Sequence, residues 1–171
     1  MHETHRVSSD AKPTSSGEGD RAHKDHYRRL FIMAGLSLIS MYVLMYSMVD
    51  TVANVYANLN QFYMAGLMTA PMVVIEVLVM RVMYPRKGTN ALIIGASALV
   101  GLGLFAAIRQ QTAISDGQFL RSMIPHHASA VLMCERASLQ DPELEELCRD
   151  ILSSQQAQID QMRAKLLDLE S

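Results

Sequence analysis

The sequence predicts an all-α protein: three transmembrane helices followed by an antiparallel two-helix hairpin. Two observations predict this class. The chain divides by composition into a polar segment (1–29), a mostly apolar one (30–108) and a polar, amphipathic one (109–171). The apolar segment holds three runs of membrane-crossing length, and the last segment repeats its apolar residues at helical steps on both sides of a turn. At 171 residues, the chain has no repeats of solenoid length, and its net charge of -2 comes with no basic stripe for nucleic acid.

The first run, Leu30–Val49, carries no charge over twenty residues. That is enough to cross a hydrocarbon core of about 30 Å. The second, Phe62–Met80, is interrupted by Pro71 and Glu76. The third, Ala91–Ile108, contains Gly95, Ala98, Gly101 and Gly103, small residues that let helices approach closely. Glu76 is the one ionisable residue well inside a run, so it is expected to face the bundle or stay protonated. Met41, Met45 and Met48 share one face of the first run, and Met64, Met68 and Met72 share one face of the second. Such stripes are either flexible packing, the commoner case, or a thioether route for a soft ion.

Flanking cations set the orientation. Arg21, Lys24, Arg28 and Arg29 precede the first run, and Arg81, Arg86 and Lys87 separate the second from the third. The loop between the first two has no Lys or Arg. The N-terminus is therefore expected in the cytoplasm and the hairpin outside the cytoplasmic membrane, which in a Gram-negative cell is the periplasm. Residues 1–29 carry six Lys/Arg, five Asp/Glu and many Ser, Gly and Pro, and they are expected to form a disordered tail without a cleavable leader. His2, His5, His23 and His26 lie in it and read as solvated side chains.

The hairpin has clear starts. Ser115 or Asp116 caps a helix in which Phe119, Met123, Ile124, His127, Val131 and Cys134 form the inner stripe. Asp141 caps the next, with Pro142 in its first position and Glu143, Glu145 and Glu146 on its positive end. Folding the two helices about residue 141 pairs positions whose numbers sum to about 282. Cys134 then faces Cys148, His127 faces Gln155, and Met123 faces Ile159, with Met162 opposite Phe119 and Leu120. These are the chain's two cysteines, and an oxidising compartment favours a disulfide between them. Two buried thiols and soft copper ligands are the alternatives.

The stretch Met123–Cys134, "MIPHHASAVLMC", sets adjacent histidines beside methionines. Met123, His126, His127 and Met162 are expected near one end of the hairpin, with Met133 two turns from His126 on the same face. Imidazole with thioether suits copper, Cu(I) above all, although each of these side chains also packs well in a core. Pro125 leaves the Arg121 carbonyl without an amide partner, and the resulting kink is expected to re-aim the histidines. There is no Glu-x-x-His motif for a di-iron bundle and no Cys-x-x-Cys-His for covalent haem.

The strings "DGQFLRSMIPHHASAVLMCERA" and "ILSSQQAQIDQMRAKL" resemble the domain of unknown function 305 family, a ferritin-like helical group. Phe119, Met123, Ile124, Pro125, His126, His127, Met133, Gln155, Ile159 and Met162 match its pattern across about residues 113–167. The three-span front resembles a membrane-anchored subgroup from proteobacteria. The resemblance implies extracytoplasmic copper binding through Met and His, with Met123, His126, His127, Met133 and Met162 as the ligand set. The chain departs from the pattern in having one hairpin and in placing Cys134 where Ala is usual. A lone hairpin buries little, so two chains are expected to pair into a four-helix bundle.

The expected function is thus a membrane-anchored protein that binds or buffers Cu(I) and catalyses no reaction. Its partners would be the lipid bilayer, copper ions and a second copy of the chain, with no nucleic acid. The rivals are a structural or oligomerisation module without metal and a subunit of a metal transport assembly.

Overall fold

The computed structural model describes residues 16–171, with side chains from residue 25 onward. His2 and His5, and the part of the expected tail before Ser16, lie outside the described residues, as does the side chain of His23. Five α-helices follow in order: α1 (Ser16–Leu44), α2 (Leu59–Val79), α3 (Lys87–Gln110), α4 (Asp116–Arg136) and α5 (Pro142–Glu170). Two 3₁₀ turns, Met45–Met48 and Val52–Asn54, lie between α1 and α2. Among the described residues there is no strand. α1 starts within the segment read as a tail, so residues 16–29 are helical rather than irregular.

Among the described residues, three helical segments are long and apolar enough to cross a membrane: Asp25–Met48, Leu59–Val79 and Lys87–Gln110. They overlie the three apolar runs. α2 is the middle helix and packs against both α1 and α3. Its close contact with α3 is made by small residues. A Cβ at Gly66 would stand 2.6 Å from Leu104 Cδ1, and one at Gly101 would stand 3.2 Å from the Cβ of Ala70. Gly95 and Gly103 face open space, so of the four small residues expected to mediate approach, these two do not. Large apolar side chains such as Phe31, Leu36, Leu92 and Leu99 point outward along the helices, as lipid-facing residues do.

Towards the α2–α3 connection, Leu30, Val77 and Tyr84 form a small core with Tyr27, Ile93 and Ile94. The Tyr27 hydroxyl donates to Asn90 Oδ1 (2.8 Å), and Asn90 Nδ2 donates to the Tyr84 carbonyl (2.7 Å). Glu76 is half-buried one turn before the end of α2, not mid-helix. Burial, and then the charge of Glu76, raise the pKa of the Tyr84 phenol just beyond the helix.

At the opposite end, α3 stops at Gln111, which is left-handed (φ 49°), as is Ala113 (φ 59°). Those two residues redirect the chain into α4. Ser115 caps α4 by accepting from the Gln118 amide, and Asp141 caps α5 by accepting from the Glu143 and Leu144 amides. α4 and α5 pack on Ile124, Ala128, Val131, Ile159 and Leu166. Cys134 and Cys148 are joined by a disulfide with 5.3 Å between Cα atoms. At the far ends, Arg121 Nη2 meets Glu170 Oε1 at 2.6 Å. The disulfide thus ties the end of α4 to the start of α5, and the Arg121–Glu170 pair ties the start of α4 to the end of α5.

This pair is not separate from the three apolar helices. Val49 and Tyr56, from the α1–α2 connection, pack against its core, and Arg163 Nη2 donates to the Ala53 carbonyl (2.7 Å). Gln118 Oε1 accepts from the Leu59 amide (3.0 Å), and Asn60 Nδ2 donates to Ser122 Oγ (3.3 Å). α4 therefore lies across the ends of α1 and α2.

Candidate metal centre

The phase of α4 decides which residues face which neighbour. Ile124, Ala128 and Val131 are buried against α5. Successive helical residues turn by about 100°. Ser122, Met123, His126 and Ser129 consequently fall away from that stripe, on the side that meets α1 and α2. There they line a cavity of about 310 Å³ with Pro125 from α4, Met45 and Val49 from the end of the first apolar segment, and Asn58, Asn60, Gln61 and Met64 at the start of α2. Pro125 is buried and α4 is unbroken across it. The Ser129 hydroxyl donates back to the Pro125 carbonyl (2.9 Å).

The polar lining side chains already have partners. Asn58 caps α2 by accepting from the Gln61 amide (2.8 Å) and donates to the Tyr56 carbonyl (3.0 Å). Asn60 donates to Gln111 Oε1 and to Ser122, and Gln61 Nε2 donates to the Tyr42 carbonyl (3.1 Å). Ser122 Oγ donates to the Phe119 carbonyl (2.8 Å). Among the described residues, His126 makes no hydrogen bond. Its ring lies edge-on to that of His127, with centroids 5.8 Å apart. Among the lining residues, those whose side-chain donors take part in no hydrogen bond are His126 and the thioether residues Met45, Met64 and Met123. No Asp, Glu, Lys or Arg lines it.

His127 is half-buried and holds Nδ1 2.9 Å from the Met123 carbonyl. A carbonyl only accepts, so Nδ1 carries a proton, and in the neutral ring that tautomer leaves the lone pair on Nε2.

The other expected ligands are not brought here. Met133 is exposed on α4, almost two turns beyond His126. Met162 packs against the α4–α5 core of Ile124, Ala128, Val131, Ile159 and Leu166. Ile124 occupies the core position that residue pairing about 141 assigned to Met123, because the α5-facing stripe is 124/128/131. Phe119, read as inner, is about half exposed. Cys134 and Cys148 border a separate pocket at the other end of α4, with Leu139 and Leu152. Glu76 lies twelve residues along α2 from Met64, about 18 Å at 1.5 Å per residue. Among the described residues, no three His, Cys, Asp or Glu side chains gather as metal ligands, so the donors collected at the cavity are chiefly thioethers.

Sequence reasoning missed Met45 and Met64 as neighbours of Met123. Their stripes were visible, but only the placement of α4 across the helix ends selects these two from six methionines.

Fold and cavity together define a class: a helical protein whose α4–α5 pair is docked on three helices of membrane-crossing length. The family described as "Domain of unknown function (DUF305)" matches residues 105–166. "Uncharacterized protein L153" of Acanthamoeba polyphaga mimivirus is 32% identical over 119 residues, covering 68% of this chain and 76% of that protein. The chain belongs to the domain of unknown function 305 family. The likeness to the viral protein is longer than residues 105–166, so it takes in part of the three-helix front. No solved structure matches the chain.

Proposed function

We propose that the protein is a membrane-anchored binder of Cu(I), holding the ion through α4 rather than catalysing a reaction. The single observation that carries this reading is the placement of Met123 and His126 on the wall of one cavity, with no hydrogen bond taken by the imidazole. Thioether and neutral imidazole are soft donors that favour Cu(I). An uncharged lining suits a monovalent ion better than a divalent one, because desolvation cost rises steeply with charge. His127 supports the site from behind and keeps Nε2 available.

The membrane reading rests on the three long apolar helices. The asymmetry of Arg and Lys supports an N-terminus in the cytoplasm and α4–α5 outside, in the periplasm of a Gram-negative cell. A C-terminal alkaline phosphatase fusion is expected to be active and a C-terminal fluorescent protein fusion dark; the reverse pattern would sink this orientation.

Pairing of two chains into a ferritin-like four-helix bundle is supported by Leu144, Leu147, Leu167 and Leu169, which are exposed on α5. Cross-linking in membranes should give dimer, and monomer alone would remove the idea.

The function is tested by titrating the full-length protein in detergent with Cu(I) against a competing chelator. Met123→Ala combined with His126→Ala should weaken binding by at least a hundredfold, and unchanged affinity would refute the reading.

A further inference from the structure

The cavity wall opposite α4 carries two methionines that the motif does not include. Met45 lies in the last turn of the first membrane-length segment, and Met64 lies in the second turn of α2. Methionine in an apolar helix is ordinarily packing. Three observations separate these two from that reading. They border the same cavity as Met123 and His126, whereas Met48 and Met68, from the same stripes, do not. Every amide and hydroxyl side chain lining the cavity is already engaged with protein groups, which leaves sulfur and imidazole as the uncommitted donors. Hydrogen bonds from Leu59 to Gln118 and from Asn60 to Ser122 fix α4 over the helix ends, so the two walls face each other in one arrangement.

We infer that Met45 and Met64 ligate the same Cu(I) ion as Met123 and His126, making a composite site of three thioethers and one imidazole. This deepens the function proposed above and rests on it. Two donors come from α4 and two from the ends of the apolar helices, so the site exists only when the two parts are docked. Neutral donors throughout give a +1 centre, and Cu(I) accepts such a soft set. The ion would thus sit at the outer membrane edge, not within the α4–α5 pair.

The test uses full-length protein in detergent, titrated with Cu(I) against a competing chelator. Met45→Leu and Met64→Leu nearly keep side-chain volume and remove sulfur, a swap that cores usually tolerate. Each is expected to weaken Cu(I) binding about tenfold and the pair at least thirtyfold, whereas Met48→Leu with Met68→Leu should bind as the unsubstituted protein does. X-ray absorption of the copper-loaded protein should give a sulfur-dominated shell that loses sulfur scatterers in the Met45→Leu, Met64→Leu variant. Wild-type affinity and sulfur count in that variant, with binding lost in Met123→Ala, His126→Ala, would overturn the composite site and leave the α4 reading standing. Wild-type affinity in both would overturn both. Weakened binding with an unchanged sulfur shell would show that Met45 and Met64 act through packing, and would also overturn the inference.

Discussion

His127 Nδ1 donates to the carbonyl of Met123 at 2.9 Å, one helical turn earlier on α4. The bond fixes the tautomer of a ring that lies beside His126 and ties it to the backbone of another proposed ligand. Groups that orient a ligand typically matter by 10–100-fold in metal affinity. His127→Ala should therefore weaken Cu(I) binding by no more than this, and His126→Ala should weaken it further. An equal or reversed order in competition titrations would mean that His127, not His126, is the ligand.

The Cys134–Cys148 disulfide closes a short loop at the end of α4 remote from the cavity. A loop of this length is worth about 3 kcal/mol through chain entropy. Reduction, or Cys134→Ser with Cys148→Ser, should lower the thermal midpoint while leaving Cu(I) affinity within about threefold, since neither sulfur lines the cavity. A collapse of affinity at unchanged fold would make the cysteines copper ligands instead.

Ile159 is fully buried between α4 and α5, with Met162 beside it in the same core. Ile159→Ala should cost about 2–5 kcal/mol. Met162→Leu should cost under about 1.5 kcal/mol and leave copper binding intact. Denaturation with and without Cu(I) checks both, and a loss of affinity in Met162→Leu would return Met162 to the ligand set.

Gly66 and Gly95 look alike in sequence and differ in place. A side chain at Gly66 meets Leu104 at once, whereas one at Gly95 meets nothing within 4 Å. Gly66→Val should destabilise the α2–α3 contact by about 1–3 kcal/mol, and Gly95→Val should change the melting temperature of the monomer little. Comparable effects would place Gly95 in a contact between chains.

Features that depend on neighbours in sequence were legible. The apolar runs locate the three membrane-length segments to within about five residues at each end, although α1 itself begins earlier, at Ser16. Ser115 and Asp141 cap α4 and α5 because a cap needs only the next turn of backbone. The pairing of Cys134 with Cys148 followed from the short turn between their helices. What escaped depends on packing between distant segments. The rotation of α4 by one residue, Ile124 for Met123, is settled by which stripe α5 and Tyr56 cover. Separating Gly101 from Gly95 needed the phase of α3 against α2. Met45 and Met64 are joined to Met123 only because Gln118 and Ser122 dock α4 over residues 59 and 60.

The copper proposed for this chain is held in the cavity beneath α4. The most direct measurement is copper quantitation on full-length protein purified after Cu(I) loading and exhaustive desalting against a weak chelator. One copper per chain in the unsubstituted protein, and loss of most of it in Met123→Ala with His126→Ala, is the result predicted. A copper-free protein, or equal retention by the doubly substituted one, would contradict it.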